Sequence, residues 1–124
     1  MVSKKENEVL VFACDGASNT GKLAGAVALR LVKSGGFSLA CLPALALDRE
    51  SLLEKIKSAE KLIAVDGCAF RCAEKIIKGH ARREPGFSVE LSSEYRVKKD
   101  TSTFDVDEDL VASITQDLLG RIRS

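Results

Sequence analysis

The chain has 124 residues, 19 Lys and Arg against 18 Asp and Glu, a formal net charge of +1, and 45% apolar residues. That balance removes any electrostatic case for nucleic acid or an anionic membrane surface as a partner. No apolar run approaches the roughly 20 residues needed to span a bilayer, and the polar start at residues 1–8 lacks the apolar stretch of a secretory leader. The expectation is one cytoplasmic domain over residues 1–124, long enough to bury a core without cross-links.

Residues 9–13 are continuously apolar, as expected of a strand buried on both faces. A polar, glycine-bearing loop follows over residues 15–21. Residues 20–34 set Leu23, Ala24, Val27, Ala28 and Leu31 at helical spacing, with Thr20 as the N-cap and Ser34-Gly35-Gly36 as the stop. A second strand is predicted over residues 37–42, then a small-residue loop over 43–47. Asp48 is read as the cap of a helix carrying Leu52, Leu53 and Ile56.

The third strand falls on residues 62–65, and a helix on 67–79 with Gly79 as its stop. Residues 87–91 alternate apolar and polar, which predicts a strand with one open face, at an edge. Residues 94–97 extend or follow it. Asp105, with Glu108 three residues on, opens a last helix with Val106, Leu110, Ile114, Leu118 and Ile122 as its buried stripe. Strand and helix alternate throughout. The expected fold is therefore α/β: a three-layer sandwich, a mainly parallel sheet of about four strands, helices on both faces, and flavodoxin- or Rossmann-like order with strand 1 between strands 2 and 3.

The four cysteines acquire meaning from this frame. Cys14, Cys41 and Cys68 follow the first three predicted strands, and Cys72 comes four residues after Cys68. Parallel strands about 4.8 Å apart would bring all four to one sheet edge, the edge where such sheets bind ligands. A helix starting at or just before Cys68 would set Cys68 and Cys72 on one face and favour thiolate through its N-terminal field. In a reducing compartment such a cluster reads as metal-binding or redox-active rather than as disulfides. The simpler reading is that the cysteines are small hydrophobes at sheet edges.

The residues around them are familiar. Val65-Asp66-Gly67-Cys68, continued by Ala69-Phe70-Arg71-Cys72-Ala73, resembles the central motif of the DGC-domain family of small prokaryotic proteins, which is named for that Asp-Gly-Cys. Cys14-Asp15-Gly16-Ala17-Ser18-Asn19-Thr20-Gly21 and Cys41-Leu42-Pro43 match as well, so the resemblance covers nearly the whole chain. It implies zinc bound by Cys14, Cys41, Cys68 and Cys72, and no established activity. Thiolates accept iron as well as zinc. A domain of this size does not need a metal to fold, which favours metal sensing or handling over a structural staple.

Other chemistries compete for the same loops. Gly16-Ala17-Ser18-Asn19-Thr20-Gly21-Lys22 has the spacing of a phosphate-binding loop, but Leu23 stands where a Ser or Thr would hold magnesium. A nucleotide hydrolase is not expected. A looser anion site using Ser18, Asn19 and Lys22 is, with a tight strand-to-helix turn as the plain alternative. A phosphatase-like nucleophile at Cys14 lacks its arginine, since none occurs before Arg30. Thiol redox chemistry stays open, without a Cys-x-x-Cys pair to support a thioredoxin-like mechanism. Asp15 and Asp66 would border the thiols as partners of metal ligands or as general bases of a metal-assisted enzyme, unless they simply cap helices. His80 reads as a surface residue, and Arg82 and Arg83 as a solvated basic turn.

Overall fold

A computed structural model describes residues 8–124; the polar N-terminal segment, apart from Glu8, lies outside the described residues. Strands β1 (Val9–Ala13), β2 (Ser38–Leu39), β3 (Lys61–Asp66) and β4 (Phe87–Glu90) form one sheet in the order β2-β1-β3-β4. Every pairing is parallel, running from Val9 opposite Lys61 to Ala13 opposite Val65, and on to Asp66 opposite Glu90. The predicted order and the edge position of the fourth strand both hold.

Successive strand side chains face opposite ways, and this splits the core in two. Val11, Ile63, Val65 and Val89 pack against α1 (Asn19–Lys33) and α6 (Glu108–Arg123), through Leu23, Val27, Leu31, Ile114 and Leu118. Leu10, Phe12, Leu62 and Ala64 face α2 (Leu42–Ala46), α3 (Glu50–Ser58) and α4 (Cys72–Ile76) on the other side. A short α5 (Leu91–Glu94) follows β4. Among the described residues no helix is long and apolar enough to cross a membrane.

Several boundaries differ from the sequence expectation. Ser18, not Thr20, caps α1: its Oγ accepts the Gly21 N–H at 3.0 Å, while Thr20 is buried in the first turn. The second strand is two residues long. Residues 42–46, expected as strand end and loop, turn into α2 because Pro43 is tolerated in a first helical turn and Leu42 and Leu45 reach the core. Arg49, not Asp48, is the cap residue of α3. Asp48 sits at φ +55°, and its carboxylate meets His80 Nδ1 at 2.8 Å, so His80 is not a free surface group. Asp107, not Asp105, caps α6, accepting from the Asp109 and Leu110 N–H groups; Val106 precedes the helix, and Leu110 is only partly buried against the core. Residues 95–97 form no strand.

The helix expected over 67–79 starts at Cys72 instead. It continues past Ile76 as a π-helical turn (Ile77–Ala81) and stops at Arg82, whose φ is +56°. Gly79 is therefore not the stop. A Cβ at Gly79 would have nothing within 4 Å. Gly79→Ala should accordingly raise stability by about 0.5–1 kcal/mol, seen as a higher urea midpoint. A lower midpoint would contradict this backbone. Arg83, expected in solvent, donates to the Ile56 and Ala59 carbonyls at 2.6 and 2.9 Å and so closes the C-terminal end of α3.

Candidate thiol site at the carboxyl edge of the sheet

The cysteines sit where adjacent parallel strands end. Cys14 directly follows β1, and its N–H still donates to Val65 at 3.1 Å. Cys41 comes two residues after β2, as the cap residue of α2. Cys68 comes two residues after β3, and Cys72 is the first residue of α4. All four thiols are free; Cys41 and Cys72 are exposed, Cys14 and Cys68 half-buried.

The Cys68–Cys72 pair departs from expectation. Residues 67–71 form a loop, and Arg71 takes a left-handed φ of +52°. Cys68 is therefore outside the helix, and Cys72 is its first residue. The charges of Asp66 and Cys72 bear on Cys14. Cys41 faces a depression of about 210 Å³ with Asp15, Leu42 and Pro43. Cys68 lines another of about 330 Å³ with Phe70, Ser92 and Lys99. Among the described residues, no three His, Cys, Asp or Glu side chains are grouped as a metal cage. The donor set fits a thiophilic ion in number and chemistry, and binding would have to draw the sulfurs together.

Hydrogen bonds define the surroundings of each thiol. Gly67 N–H donates to Cys14 Sγ at 3.3 Å. Burial pushes the Cys14 thiol above its ordinary value; N–H bonds from Gly16 and Gly67 pull it down, and Asp66 and Cys72 push it up again. That argues against Cys14 as a free thiolate nucleophile. Lys99 Nζ donates to Cys68 Sγ at 3.6 Å and lies 4.8 Å from the Phe70 ring centre. Nothing in the sequence singled out Lys99, because residues 98–104 carry no periodic signal and its partner is 31 residues away.

Asp66 is fully buried and caps α4. Its two oxygens accept the Ala73 and Glu74 N–H groups at 2.7 and 3.0 Å. Burial pushes its carboxyl up, against the effect of those two bonds. It thereby ties the helix that begins at Cys72 to the end of β3, beside its electrostatic effect on Cys14. Glu90, its neighbour across the β3–β4 pairing, does the same for α5 by accepting the Ser93 N–H at 3.0 Å. Asp15 is exposed, at φ +46°, and pairs with Lys22 at 3.4 Å.

The glycines on either side need the absence of a side chain. A Cβ on Gly67 would lie 2.3 Å from the Thr20 carbonyl oxygen, and one on Gly21 would lie 2.4 Å from that of Gly16. The phosphate-loop-like spacing is thus met by backbone packing. Ser18 Oγ is engaged with Gly21 N–H and Thr20 Oγ1. Asn19 donates to the Lys98 carbonyl at 2.8 Å and accepts the Asp100 N–H at 2.6 Å. Of the three residues offered for an anion, the Lys22 ammonium meets only Asp15 among the described residues, at its carbonyl at 3.3 Å and its carboxylate at 3.4 Å.

Comparison with known proteins adds a family. The family model described as DGC domain matches residues 10–118. The chain is 33% identical over 91 residues to a Pseudomonas aeruginosa (strain PAO1) protein named anaerobic and virulence modulator AnvM, a match spanning 73% of this chain and 67% of that protein. No solved structure matches.

Proposed function

This chain belongs to the DGC-domain family, and we propose that it binds zinc through Cys14, Cys41, Cys68 and Cys72 to sense or handle the metal. The observation that carries this reading is the arrival of four free thiols from three neighbouring strand ends at one edge of a parallel sheet, where α/β sheets bind ligands. A bound zinc would supply a positive centre that keeps the sulfurs as thiolates. The chain's own residues do the rest: Gly67 N–H supports Cys14, and Asp66 fixes the start of the helix that presents Cys72.

Two apolar clusters already fill both sides of the sheet, so the metal is not needed as a staple. The relative's name, a modulator, supports a sensory use. Anion binding at residues 16–22 has weaker support, because Ser18 and Asn19 are engaged with the chain itself.

Metal analysis of protein purified under reducing conditions tests this. The expected result is about one zinc per chain with four thiols protected from alkylation. Cys41→Ser and Cys68→Ser should each lose most of that zinc. Unchanged content in Cys41→Ser would remove Cys41 from the site, and iron in place of zinc would change the metal but keep the ligands. Metal-free protein that forms a disulfide reversibly would replace the proposal with thiol redox chemistry.

A further inference from the structure

Between α5 and α6 the chain runs through residues 95–107 without helix or strand. Tyr95, Val97 and Val106 pack its two ends against the core, and its middle is held by α1. Asn19, the first residue of α1, donates its side-chain amide to the Lys98 carbonyl at 2.8 Å and accepts the Asp100 N–H at 2.6 Å. Its backbone N–H also donates to the Asp100 carbonyl at 3.0 Å. The three bonds clasp the chain on both sides of one residue, Lys99. That lysine lies across the cysteine loop, with Nζ 3.6 Å from Cys68 Sγ and 4.8 Å from the centre of the Phe70 ring.

The charges at this edge make Lys99 distinct. Lys22 is paired with Asp15 at 3.4 Å and Arg71 with Glu74 at 3.2 Å. Among the described residues, Lys99 has no carboxylate partner within ion-pair distance; its contacts are a sulfur and an aromatic face. Four thiolates around a divalent ion carry excess negative charge, which a cation beside one sulfur offsets. Hydrogen bonds from outside the ligand set hold ligands in place and tune the metal.

We propose that Lys99 is the counter-cation of the thiolate centre, and that Asn19, by clasping the backbone on either side of it, forms a strap that retains Cys68 as a ligand. Asn19, which looked like an anion ligand in the sequence, is on this account a positioning residue acting through Lys99. The proposal rests on the metal reading given above. It goes further by assigning control of metal retention to two residues outside the four cysteines.

The test is zinc transfer from the loaded full-length protein to a colorimetric chelator, followed in time for the wild type, Lys99→Met, Lys99→Arg, Asn19→Ala and the Lys99→Met/Asn19→Ala double variant. Lys99→Met should release zinc about tenfold faster, and Lys99→Arg should stay close to the wild type. Asn19→Ala should match Lys99→Met, and the double variant should be no faster than either, because both act through the same ammonium group. Asn19→Ala should also speed tryptic cleavage after Lys98 and Lys99 in metal-free protein, a readout of the clasp that needs no zinc.

Unchanged release from Lys99→Met in a wild type that holds zinc would overturn the strap and leave the metal reading standing. Equal acceleration by Lys99→Arg would overturn it too, since packing rather than charge would then be at work. Additive effects in the double variant, or cleavage unaltered by Asn19→Ala, would break the link between the two residues. A wild-type protein that takes up no metal would overturn the metal reading, and the strap with it.

Discussion

Gly67→Ala should cost about 3 kcal/mol of stability, at the upper end of what overpacking usually costs, and lower the melting temperature by about 10 °C. The reason is that nothing near the new methyl group can yield. Its Cβ would lie 2.3 Å from the Thr20 oxygen, 2.5 Å from the Thr20 carbonyl carbon and 2.7 Å from the Gly21 nitrogen. All three are backbone atoms of the first turn of α1. That turn is anchored by buried Leu23 and Ala24, and the loop carrying Gly67 is anchored by fully buried β3 residues. Relief requires separating α1 from the end of β3, which opens the larger of the two apolar clusters. It also moves the Gly67 N–H away from Cys14 Sγ, so under the proposed zinc reading metal content should fall along with stability. Gly16→Ala is the control: a Cβ there meets nothing within 4 Å, and a change of only a few tenths of a kcal/mol is expected of such a surface site. Thermal melts of the two variants beside the parent decide it. A Gly67→Ala protein that melts like the parent would show that the close approach of Gly67 and Thr20 does not exist.

The sheet was legible in the sequence because β1 and β3 are buried on both faces, and a strand in that position must be apolar throughout. Strand order came from the flavodoxin-like arrangement common in short α/β domains, which the β2-β1-β3-β4 order matches. The same logic found the sheet edge where Cys14, Cys41 and Cys68 follow their strands. Helix starts were less legible. Ser18 and Thr20 are both good caps by type, and the choice between them depends on which Oγ reaches the Gly21 N–H. Asp48 has the chemistry of a cap but takes a left-handed turn and reaches His80 instead. Cys68 and Cys72 have helical spacing, yet Arg71 at positive φ breaks the helix between them, and apolar periodicity does not register one left-handed residue. Lys99 was invisible for a different reason. Its place beside Cys68 comes with a clasp between residues far apart in the chain, Asn19 with Lys98 and Asp100. Arg83 has the same character, since a basic residue after a helix reads as solvated until the carbonyls of Ile56 and Ala59 are seen beside it.

Asp66→Ala should destabilise the protein by about 2–3 kcal/mol, because it removes a cap and leaves N–H groups without an acceptor in a buried place. The carboxylate has no solvent exposure and both its oxygens are in use, on Ala73 N–H at 2.7 Å and Glu74 N–H at 3.0 Å. Ala73 is itself buried, so water does not readily replace the lost acceptor there. Asp66→Asn separates the two bonds. Its amide oxygen can still accept from one N–H, while its NH₂ group would face the other donor to donor. Its loss should fall between the wild type and alanine, at about 1–2 kcal/mol. Urea denaturation of metal-free protein gives both numbers without interference from bound metal. A zinc titration of the same proteins then reads the effect on the site. Cys72 opens the helix that Asp66 holds, so under the proposed zinc reading alanine should weaken zinc binding more than asparagine does, in the same order as the stabilities. If alanine weakened zinc binding while leaving the urea midpoint untouched, Asp66 would be acting on the metal or its ligands directly, and the capping role would be secondary. If it changed neither, the Asp of the Asp-Gly-Cys motif would not be what joins the helix of Cys72 to the sheet.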